Sequence, residues 1–274
     1  MRPAFRPILF ATVTAAVALG VGCATGDPTS GAASASPTAG HTTPQQSSAA
    51  PHLPPAASSG PNSRPRDTST RHPANSPARA ALGFVDVRDV LPDAIVDLRY
   101  ATPNNFTRTR LYPPNARCLV HESLRPGLVA AQRALGRSGN TLVFWDCYRP
   151  HSVQEKMFRL VPDPAWVAQP ESWSRSHESG RSVDVTLANR TPTCPTARRV
   201  ADRCLVDMGT DFDSFTPQAT AFATTGVSSA QRATRSRLRT AMNAGGLTVY
   251  SGEWWHFDGP GAQVRRPIID IPPT

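Results

Sequence analysis

The sequence predicts an α+β fold for residues 81–274, a single domain in which helices flank a mostly antiparallel central sheet. Two kinds of periodicity support this prediction, because some segments repeat apolar residues at helical spacing and others alternate apolar with polar residues. The two kinds of segment do not alternate strictly along the chain, as they do in folds built from parallel βαβ units. A stretch of roughly 190 residues is also long enough to enclose one substantial core.

Residues 1–23 have the features of an export signal. A positively charged start precedes an apolar stretch at residues 8–21, which is too short for a comfortable membrane span. The segment ends in Val21-Gly22-Cys23, which resembles a bacterial lipobox, although Gly20 occupies the position where leucine is usual. We therefore expect an exported lipoprotein, held on the outer face of the cell membrane by a lipid on Cys23. Ordinary cleavage and a secreted product are the alternative.

Residues 24–80 are a low-complexity segment dominated by Pro, Ser, Ala, Thr and Gly, in which Leu53 is the only large apolar side chain. Such a segment buries too little apolar surface to offset the entropy of ordering it. We expect a disordered linker that joins the anchor to the domain.

Turn and loop residues separate the predicted elements of the domain. Leu124, Leu128 and Leu135 share one helix face, Pro150 ends a buried strand, and Gly245-Gly246 ends the last helix. Strands are predicted at residues 84–87, 95–98, 141–145, 182–187, 247–250 and 254–257, helices at residues 122–135, 152–160 and 231–243, and a loop at residues 102–114.

The formal net charge of +9 and the pI of about 10.2 come almost wholly from arginine. A basic surface could serve an anionic partner such as a cell-wall polymer or a nucleic acid. No run of basic residues stands out, which favours a bias in codon usage instead. We therefore predict no nucleic-acid partner.

Four cysteines remain once Cys23 is set aside: Cys118, Cys147, Cys194 and Cys204. An exported protein meets oxidising conditions, so disulfides are expected. Cys194 with Cys204 would close a short loop, and Cys118 with Cys147 would join a helix start to a strand end. Four cysteines allow three pairings, and the sequence does not choose among them. No C-x-x-C spacing supports a cysteine-ligated zinc site.

Two distant stretches carry residues that suit a metal site. His177 and Asp184 lie seven positions apart with a glycine between them, and His256 comes much later in the chain. Catalytic zinc commonly takes three His and Asp/Glu ligands and leaves a position for water. We predict one zinc ion on these three residues, at the sheet, because Asp184 and His256 fall on predicted strands. Each motif alone is a weak signal, and an exposed histidine in a polar loop would be the default.

Glu253 and Arg149 are the candidate catalytic residues. Glu253 precedes His256 by three residues, so a bend must bring both to one site, where Glu253 would act as general base. The alternative is a surface carboxylate at a hairpin turn. Arg149 follows a buried strand, and a fixed guanidinium there can stabilise the oxyanion of amide hydrolysis. The alternative is a structural ion pair with Asp146.

Several motifs together resemble the zinc D-Ala-D-Ala dipeptidases of the VanX type. The similarity extends from residue 84 to the end of the chain, with the motifs in the order of the family. They are Asp97-Leu98-Arg99-Tyr100-Ala101-Thr102, Asn105-Phe106, Asp146-Cys147-Tyr148-Arg149-Pro150, Ser176-His177 through Gly180 to Asp184-Val185-Thr186-Leu187, Met208-Gly209-Thr210, Phe212-Asp213 and Glu253-Trp254-Trp255-His256.

The resemblance implies an α+β fold related to zinc D,D-carboxypeptidases and to the Hedgehog signalling domain. It assigns zinc to the three ligands named above, the base to Glu253 and the oxyanion to Arg149. It further implies that Asp213 binds the substrate ammonium and that Tyr100 and Ser176 lie near the pocket. Two positions depart from the family pattern, since Arg175 replaces a serine and Ser182 an alanine.

The leading hypothesis is a zinc metallopeptidase that hydrolyses the D-alanyl-D-alanine dipeptide, a small peptide substrate, in cell-wall peptide turnover. A second hypothesis is a D,D-carboxypeptidase or endopeptidase acting on peptidoglycan stem peptides. A third is a zinc-containing binding module without turnover, which the joint presence of Glu253 and Arg149 disfavours.

Overall fold

The computed structural model describes residues 77–274, which form a mixed sheet with helices packed against it. The helices in this part of the chain are α1 (Pro77–Ala81), α2 (Val87–Val90), α3 (Arg125–Gly136), α4 (His151–Leu160) and α5 (Ser229–Ala244). The strands are β1 (Phe84–Asp86), β2 (Ile95–Val96), β3 (Leu119–His121), β4 (Asn140–Asp146), β5 (Ser182–Asn189), β6 (Arg199–Val200), β7 (Arg203–Leu205), β8 (Thr248–Val249) and β9 (His256–Asp258).

Strand β5 is the centre of the main sheet, whose order is β2-β4-β5-β7-β6. One edge of β5 pairs with β4 along most of its length. The other edge pairs with β9 over residues 182–184 and with β7 over residues 188–189. Strand β8 continues the sheet beyond β9, with which it forms an antiparallel hairpin. Asp184 is therefore held on both sides, by β4 and by β9.

The prediction of a mostly antiparallel sheet needs one correction, because β2 runs parallel to β4. The chain between these strands includes β3 and α3, which is long enough to return it to the same end of the sheet. The sheet is thus mixed, with antiparallel pairing elsewhere. A separate small sheet joins β1 to β3.

The predicted strand at residues 84–87 ends one residue early, at Asp86. The Asp86 side chain accepts a hydrogen bond of 2.8 Å from the backbone N–H of Arg88, so it caps the start of α2. Five elements were not predicted, because elements of five residues or fewer show too little periodicity: α1, α2, β3, β6 and β7.

Helices α3 and α5 cross closely at a pair of glycines. A Cβ atom on Gly127 would collide with the carbonyl oxygen of Gly245, and a Cβ on Gly245 would collide with Gly127. The close approach seals the apolar faces of both helices, and Leu128 and Leu238 are fully buried. All seven residues of β4 are buried as well, which explains its nearly continuous apolar sequence.

Residues 266–273 hold the chain on both sides of α4. Ser174 and Arg266 form an isolated antiparallel bridge. Asp270 accepts hydrogen bonds from the backbone N–H and hydroxyl of Ser152 at 2.9 and 2.7 Å, which caps α4. The hydroxyl of Tyr148 donates to the carbonyl of Ile271 at 3.2 Å. These contacts fix the segments that precede and follow α4.

Two disulfides join the four cysteines of the domain, Cys118 to Cys147 and Cys194 to Cys204. Of the three pairings that the sequence allowed, the structure selects this one. The first closes a segment of 29 residues and the second a segment of 10 residues.

The predicted export signal at residues 1–23, its Cys23 and residues 24–76 of the predicted linker lie outside the described residues. Helix α1 begins at Pro77, which is four residues before the predicted start of the domain at residue 81. Within residues 77–274, no helix combines the length and apolar character needed to cross a membrane.

Candidate metal centre and active site

The pairing of β5 with β9 places two of the candidate metal ligands side by side. Asp184 is the register partner of His256 across this antiparallel pair. His177 approaches from the 3-10 turn at Ser176–Ser179, which ends at Gly180 with a φ of 65°. This left-handed conformation favours glycine, and a Cβ there would also collide with Phe84. The local fold thus turns His177 back over the start of β5.

Three atoms converge at this point: Nε2 of His177, Oδ1 of Asp184 and Nδ1 of His256. The two nitrogens are 3.0 Å apart, and each lies 3.2 Å from the carboxylate oxygen. Tetrahedral zinc with bonds of about 2.0–2.1 Å would hold its ligand atoms about 3.3 Å apart. The spacing therefore fits a small cation bound by all three side chains, all of which are largely buried.

Hydrogen bonds at the far side of each ring orient the two histidines. Nδ1 of His177 donates to the backbone carbonyl of Cys147 at 2.7 Å, and Nε2 of His256 donates to Oδ1 of Asp258 at 3.1 Å. With these protons assigned, both inner nitrogens present lone pairs toward the oxygen of Asp184. Three electron-pair donors that face one another are repulsive unless a cation lies between them, so this donor set fits a metal.

Asp258 connects the metal centre to β5. Its carboxylate accepts a hydrogen bond from the hydroxyl of Ser182, and that hydroxyl accepts one of 2.9 Å from Ser176. Ser182 stands where the family pattern has alanine, and its hydroxyl helps to hold the carboxylate that orients His256. Although burial opposes the charge of Asp184, the neighbouring His177 and His256 lower the pKa of its carboxyl overall.

Glu253 lies beside the metal ligands in the turn of the β8–β9 hairpin. The chain bends at residues 254–255 before β9 begins, as the sequence required, and Oε2 of Glu253 comes within 3.8 Å of Nδ1 of His256. Burial raises the pKa of the Glu253 carboxyl, and the charge of Asp184 adds to this effect while His256 opposes it. Its side chain lines the cavity described below, so it is not a surface carboxylate.

Arg149 is held rigidly next to Asp184. Its Nε and Nη2 atoms donate to Oδ2 of Asp146 at 3.0 and 2.7 Å, and its Nη1 donates to Gln154 at 2.7 Å. Nη2 also lies 3.9 Å from Oδ2 of Asp184. The ion pair with Asp146 that we considered as the alternative is thus formed, and it fixes a guanidinium that still faces the cavity.

The metal ligands open onto a cavity of about 260 Å³. This volume lies close to the lower end of the ~300–1,000 Å³ range of small-molecule sites. The residues around it include all eight predicted for the site: Tyr100, Arg149, Ser176, His177, Asp184, Asp213, Glu253 and His256. The structure therefore brings together every catalytic, ligand and substrate-binding candidate that the sequence indicated.

Asp213 and Tyr100 form one polar group in the cavity wall. The hydroxyl of Tyr100 donates to both carboxylate oxygens of Asp213, at 3.2 and 3.0 Å. Burial raises the pKa of the Asp213 carboxyl well above its usual range, and the charges of Asp184 and Glu253 raise it further. A cationic ligand group would relieve this repulsion.

Ser176 and Asp213 share an unusual backbone conformation, with φ of 48° and 53°. Non-glycine residues seldom adopt the left-handed region, and such residues concentrate at functional sites. The hydroxyl of Ser176 donates to Ser182 and lies 3.5 Å from Nε2 of His256. Ser176 therefore contacts the surroundings of the metal ligands rather than the core.

Sequence reasoning missed several residues of the site. Asp258 follows His256 by two residues on a strand, which puts both on one face, so its signal was present and overlooked. Gln154 supports Arg149 from α4 and also donates to the carbonyl of Ala168 at 2.6 Å. It had no local signal, because a buried glutamine on a helix resembles any other polar position.

The segment that contains Ala168 forms a further wall of the cavity. Trp166 stacks on Phe215 with ring centroids 5.3 Å apart, and Phe215 contacts Phe106 at 5.2 Å. Trp166 and Trp173 come from a stretch for which we predicted neither helix nor strand. This aromatic wall therefore had no sequence signal beyond its composition.

The sequence of this chain is similar to those of known enzymes. A family described as D-Ala-D-Ala dipeptidase matches residues 80–273. The D-alanyl-D-alanine dipeptidase of Escherichia coli (strain K12) is 32% identical over 187 residues, which cover 68% of this chain and 90% of that protein. The enzyme of the same name from Enterococcus faecium is 28% identical over 201 residues, covering 64% and 91%. That of Streptomyces coelicolor (strain ATCC BAA-471 / A3(2) / M145) is 30% identical over 193 residues, covering 64% and 90%.

Proposed function

Since the chain belongs to the D-Ala-D-Ala dipeptidase family and is a metallopeptidase, we propose that it hydrolyses free D-alanyl-D-alanine with one zinc ion. One observation supports this proposal above the others. The convergent His177, Asp184 and His256 share a single cavity with Glu253 and Arg149. The Glu253 carboxylate lies 3.8 Å from His256, and the fixed Arg149 guanidinium lies 3.9 Å from Asp184. A base and an oxyanion partner thus flank the same point.

The donor set favours zinc over harder cations. Two imidazole nitrogens and one carboxylate oxygen suit zinc, whereas calcium and magnesium prefer oxygen ligands alone. When bound, zinc would act as a Lewis acid that polarises the scissile carbonyl.

The side chains of this enzyme would then divide the remaining work. Glu253 would remove a proton from the attacking water as its oxygen bonds to the scissile carbonyl carbon. Arg149 would stabilise the oxyanion that develops on the carbonyl oxygen. The C–N bond breaks as Glu253 passes the proton to the leaving amine, so two molecules of D-alanine are released and the base is restored.

Asp213 is the feature that favours a dipeptide over a longer stem. A free dipeptide carries an ammonium close to the scissile bond, and Asp213 places an anionic partner within the same cavity. Trp166 and Phe215, whose rings stack with centroids 5.3 Å apart, line the same cavity. A stem peptide would instead have to place an uncharged amide beside a buried carboxylate, which is unfavourable.

We further propose that the enzyme acts outside the cytoplasm, in the turnover of cell-wall peptides. This proposal is supported by the signal-like composition of residues 1–23, and a lipid on Cys23 would hold the enzyme at the membrane. The disulfides Cys118–Cys147 and Cys194–Cys204 suit an oxidising compartment as well.

Three substrates would test the proposed activity. The zinc-loaded enzyme should be given D-Ala-D-Ala, its N-acetylated form and a peptidoglycan pentapeptide stem, with release of D-alanine as the readout. We expect rapid cleavage of the free dipeptide only. Equal cleavage of the stem would point to a D,D-carboxypeptidase or endopeptidase, and zinc binding without any turnover would point to a binding module.

A further inference from the structure

A free dipeptide is a zwitterion, so its carboxylate also needs a partner. Acidic groups predominate around the cavity, and only two arginines from the described residues line it, Arg149 and Arg175. Arg149 already donates through three of its nitrogens to Asp146 and Gln154. The proposed mechanism assigns Arg149 to the oxyanion, which leaves Arg175 as the cation available to the α-carboxylate of the substrate.

Arg175 lies at the rim of the cavity, two residues before the candidate ligand His177. Its guanidinium carbon is 5.1 Å from the ring centroid of Trp173, and its Nη1 is 3.3 Å from Oε1 of Gln263. Within residues 77–274 it forms no ion pair with a carboxylate, and the side chain is exposed. The contact with Trp173 orients the planar group, and its N–H groups other than the one bound to Gln263 remain available for charge-assisted hydrogen bonds.

Arg175 and Asp213 are connected to different candidate metal ligands, Arg175 to His256 and Asp213 to Asp184. Arg175 contacts Gln263, which donates to Asp258, the partner of His256. Asp213 contacts Tyr100, whose ring lies 5.3 Å from the guanidinium carbon of Arg149, the neighbour of Asp184. A cation and an anion thus line the same cavity, and each is connected by contacts to a different candidate metal ligand.

We propose that Arg175 binds the free α-carboxylate of the substrate and makes the enzyme specific for peptides that end in an unblocked C-terminal residue. The inference rests on the proposed dipeptidase function and assigns the substrate polarity, with the ammonium at Asp213 and the carboxylate at Arg175. Serine at this position, as in the family pattern, would supply a hydrogen bond without the charge. Arginine therefore strengthens the discrimination against blocked C termini.

Binding rather than turnover gives the direct test. Zinc-loaded protein that carries Glu253→Gln should bind the peptide without hydrolysing it. Calorimetry can then measure the Kd of this variant for D-Ala-D-Ala and for the C-terminal amide of the same dipeptide. We expect the free acid to bind about 10- to 100-fold more tightly than the amide, the range of a charge-assisted contact. Arg175→Ser should abolish this difference, and Arg175→Lys should retain part of it.

Arg265 supplies a matched control, since it stacks on the same Trp173 at 4.5 Å but does not line the cavity. Arg265→Ser should therefore keep the full preference for the free acid. The proposal is overturned if Arg175→Ser preserves the preference, if Arg265→Ser removes it equally, or if the parent protein binds both peptides alike or neither. Turnover of D-Ala-D-Ala by the enzyme with Glu253 intact tests the dipeptidase function separately.

Discussion

Nδ1 of His177 donates a hydrogen bond of 2.7 Å to the backbone carbonyl of Cys147. Cys147 is covalently joined to Cys118, so a disulfide holds the carbonyl that orients a metal ligand. Partners of this kind fix the tautomer and the direction of a ligating histidine. The same short segment also carries Asp146 and Arg149, which links the candidate oxyanion partner to the same crosslink.

Removal of the Cys118–Cys147 disulfide should weaken both the fold and the metal site. The double variant Cys118→Ala/Cys147→Ala loses a crosslink across 29 residues, which corresponds to about 3.6 kcal/mol of stability on chain entropy alone. We also expect zinc to bind about 10-fold more weakly, because His177 loses its fixed carbonyl. Denaturant unfolding and competition with a chelator measure the two effects.

The second disulfide provides the control for this experiment. Cys194→Ala/Cys204→Ala removes a crosslink across 10 residues, worth about 2.7 kcal/mol by the same relation, at a site that contributes nothing to the cavity. Its zinc affinity should match that of the parent protein. If both double variants lose zinc affinity equally, the effect comes from general destabilisation and the orienting role of Cys147 is wrong.

Glu253→Gln should separate metal binding from catalysis. The amide keeps the size of the side chain but cannot accept a proton, so turnover should fall by about 10²- to 10⁴-fold while zinc remains bound. Metal content and steady-state kinetics check the two parts. Glu122→Gln changes an exposed carboxylate outside the cavity and should have no effect. Undiminished turnover by Glu253→Gln would refute its role as base.

Loss of the candidate ligand Asp184 should lower the zinc affinity more than loss of Asp258, which orients His256. Asp184→Asn replaces a ligand anion with a neutral amide and should abolish tight zinc binding. Asp258→Asn leaves the ligands in place but weakens the hydrogen bond to His256, and we expect a loss of about 10- to 100-fold. Titration with a competing chelator should give this order, and equal affinities for the two variants would contradict it.

Arg149→Lys should lower kcat with little change in KM. Lysine keeps the charge but cannot reproduce the three hydrogen bonds to Asp146 and Gln154, so the cation is no longer fixed beside Asp184. Loss of one preorganised oxyanion contact costs about 10²- to 10³-fold in kcat. A rise in KM with unchanged kcat would instead assign Arg149 to ground-state binding.

Asp213 should give KM a dependence on pH. Burial and the nearby acids raise the pKa of this carboxyl above its usual value of 3.8, so at low pH the free enzyme holds it protonated. Only the ionised form attracts the substrate ammonium. The KM for D-Ala-D-Ala should therefore fall as the pH rises through the raised pKa of Asp213. Kinetics across pH should show this trend in the parent enzyme. Asp213→Asn should raise KM and flatten the profile.

The sequence indicated the candidate metal ligands more completely than it indicated the walls of the cavity. His177, Asp184 and His256 were predicted as ligands because their chemistry differs from that of core residues, and the structure places them close together. The aromatic wall around Trp166 had no such signal, since tryptophan in an irregular stretch is also typical of ordinary packing. The catalytic roles of Glu253 and Arg149 stay predictions until the experiments above are done.

The direction of strand pairing is a second feature that the sequence could not predict. Strand β2 has two residues, so its alternation could indicate a strand but not the direction of its pairing with β4. Direction depends on the path of the intervening chain, which periodicity does not encode. Arg149 illustrates the same limit for side chains, because it forms the ion pair with Asp146 and also lines the cavity, so the ion pair does not exclude the predicted role at the oxyanion.

Metal binding by the candidate ligand set would also affect how long the protein survives in the presence of proteases. His177 and His256 are 79 residues apart in sequence, and a metal bound between them would close that loop like a removable crosslink. Loss of the ion would remove this link between β5 and β9 and leave the pairing of residues 182–184 with residues 256–258 to hold the hairpin, so the intervening segment would become a better target for proteases. Zinc depletion would then lower the amount of the enzyme as well as its activity. Both would depend on the same ion.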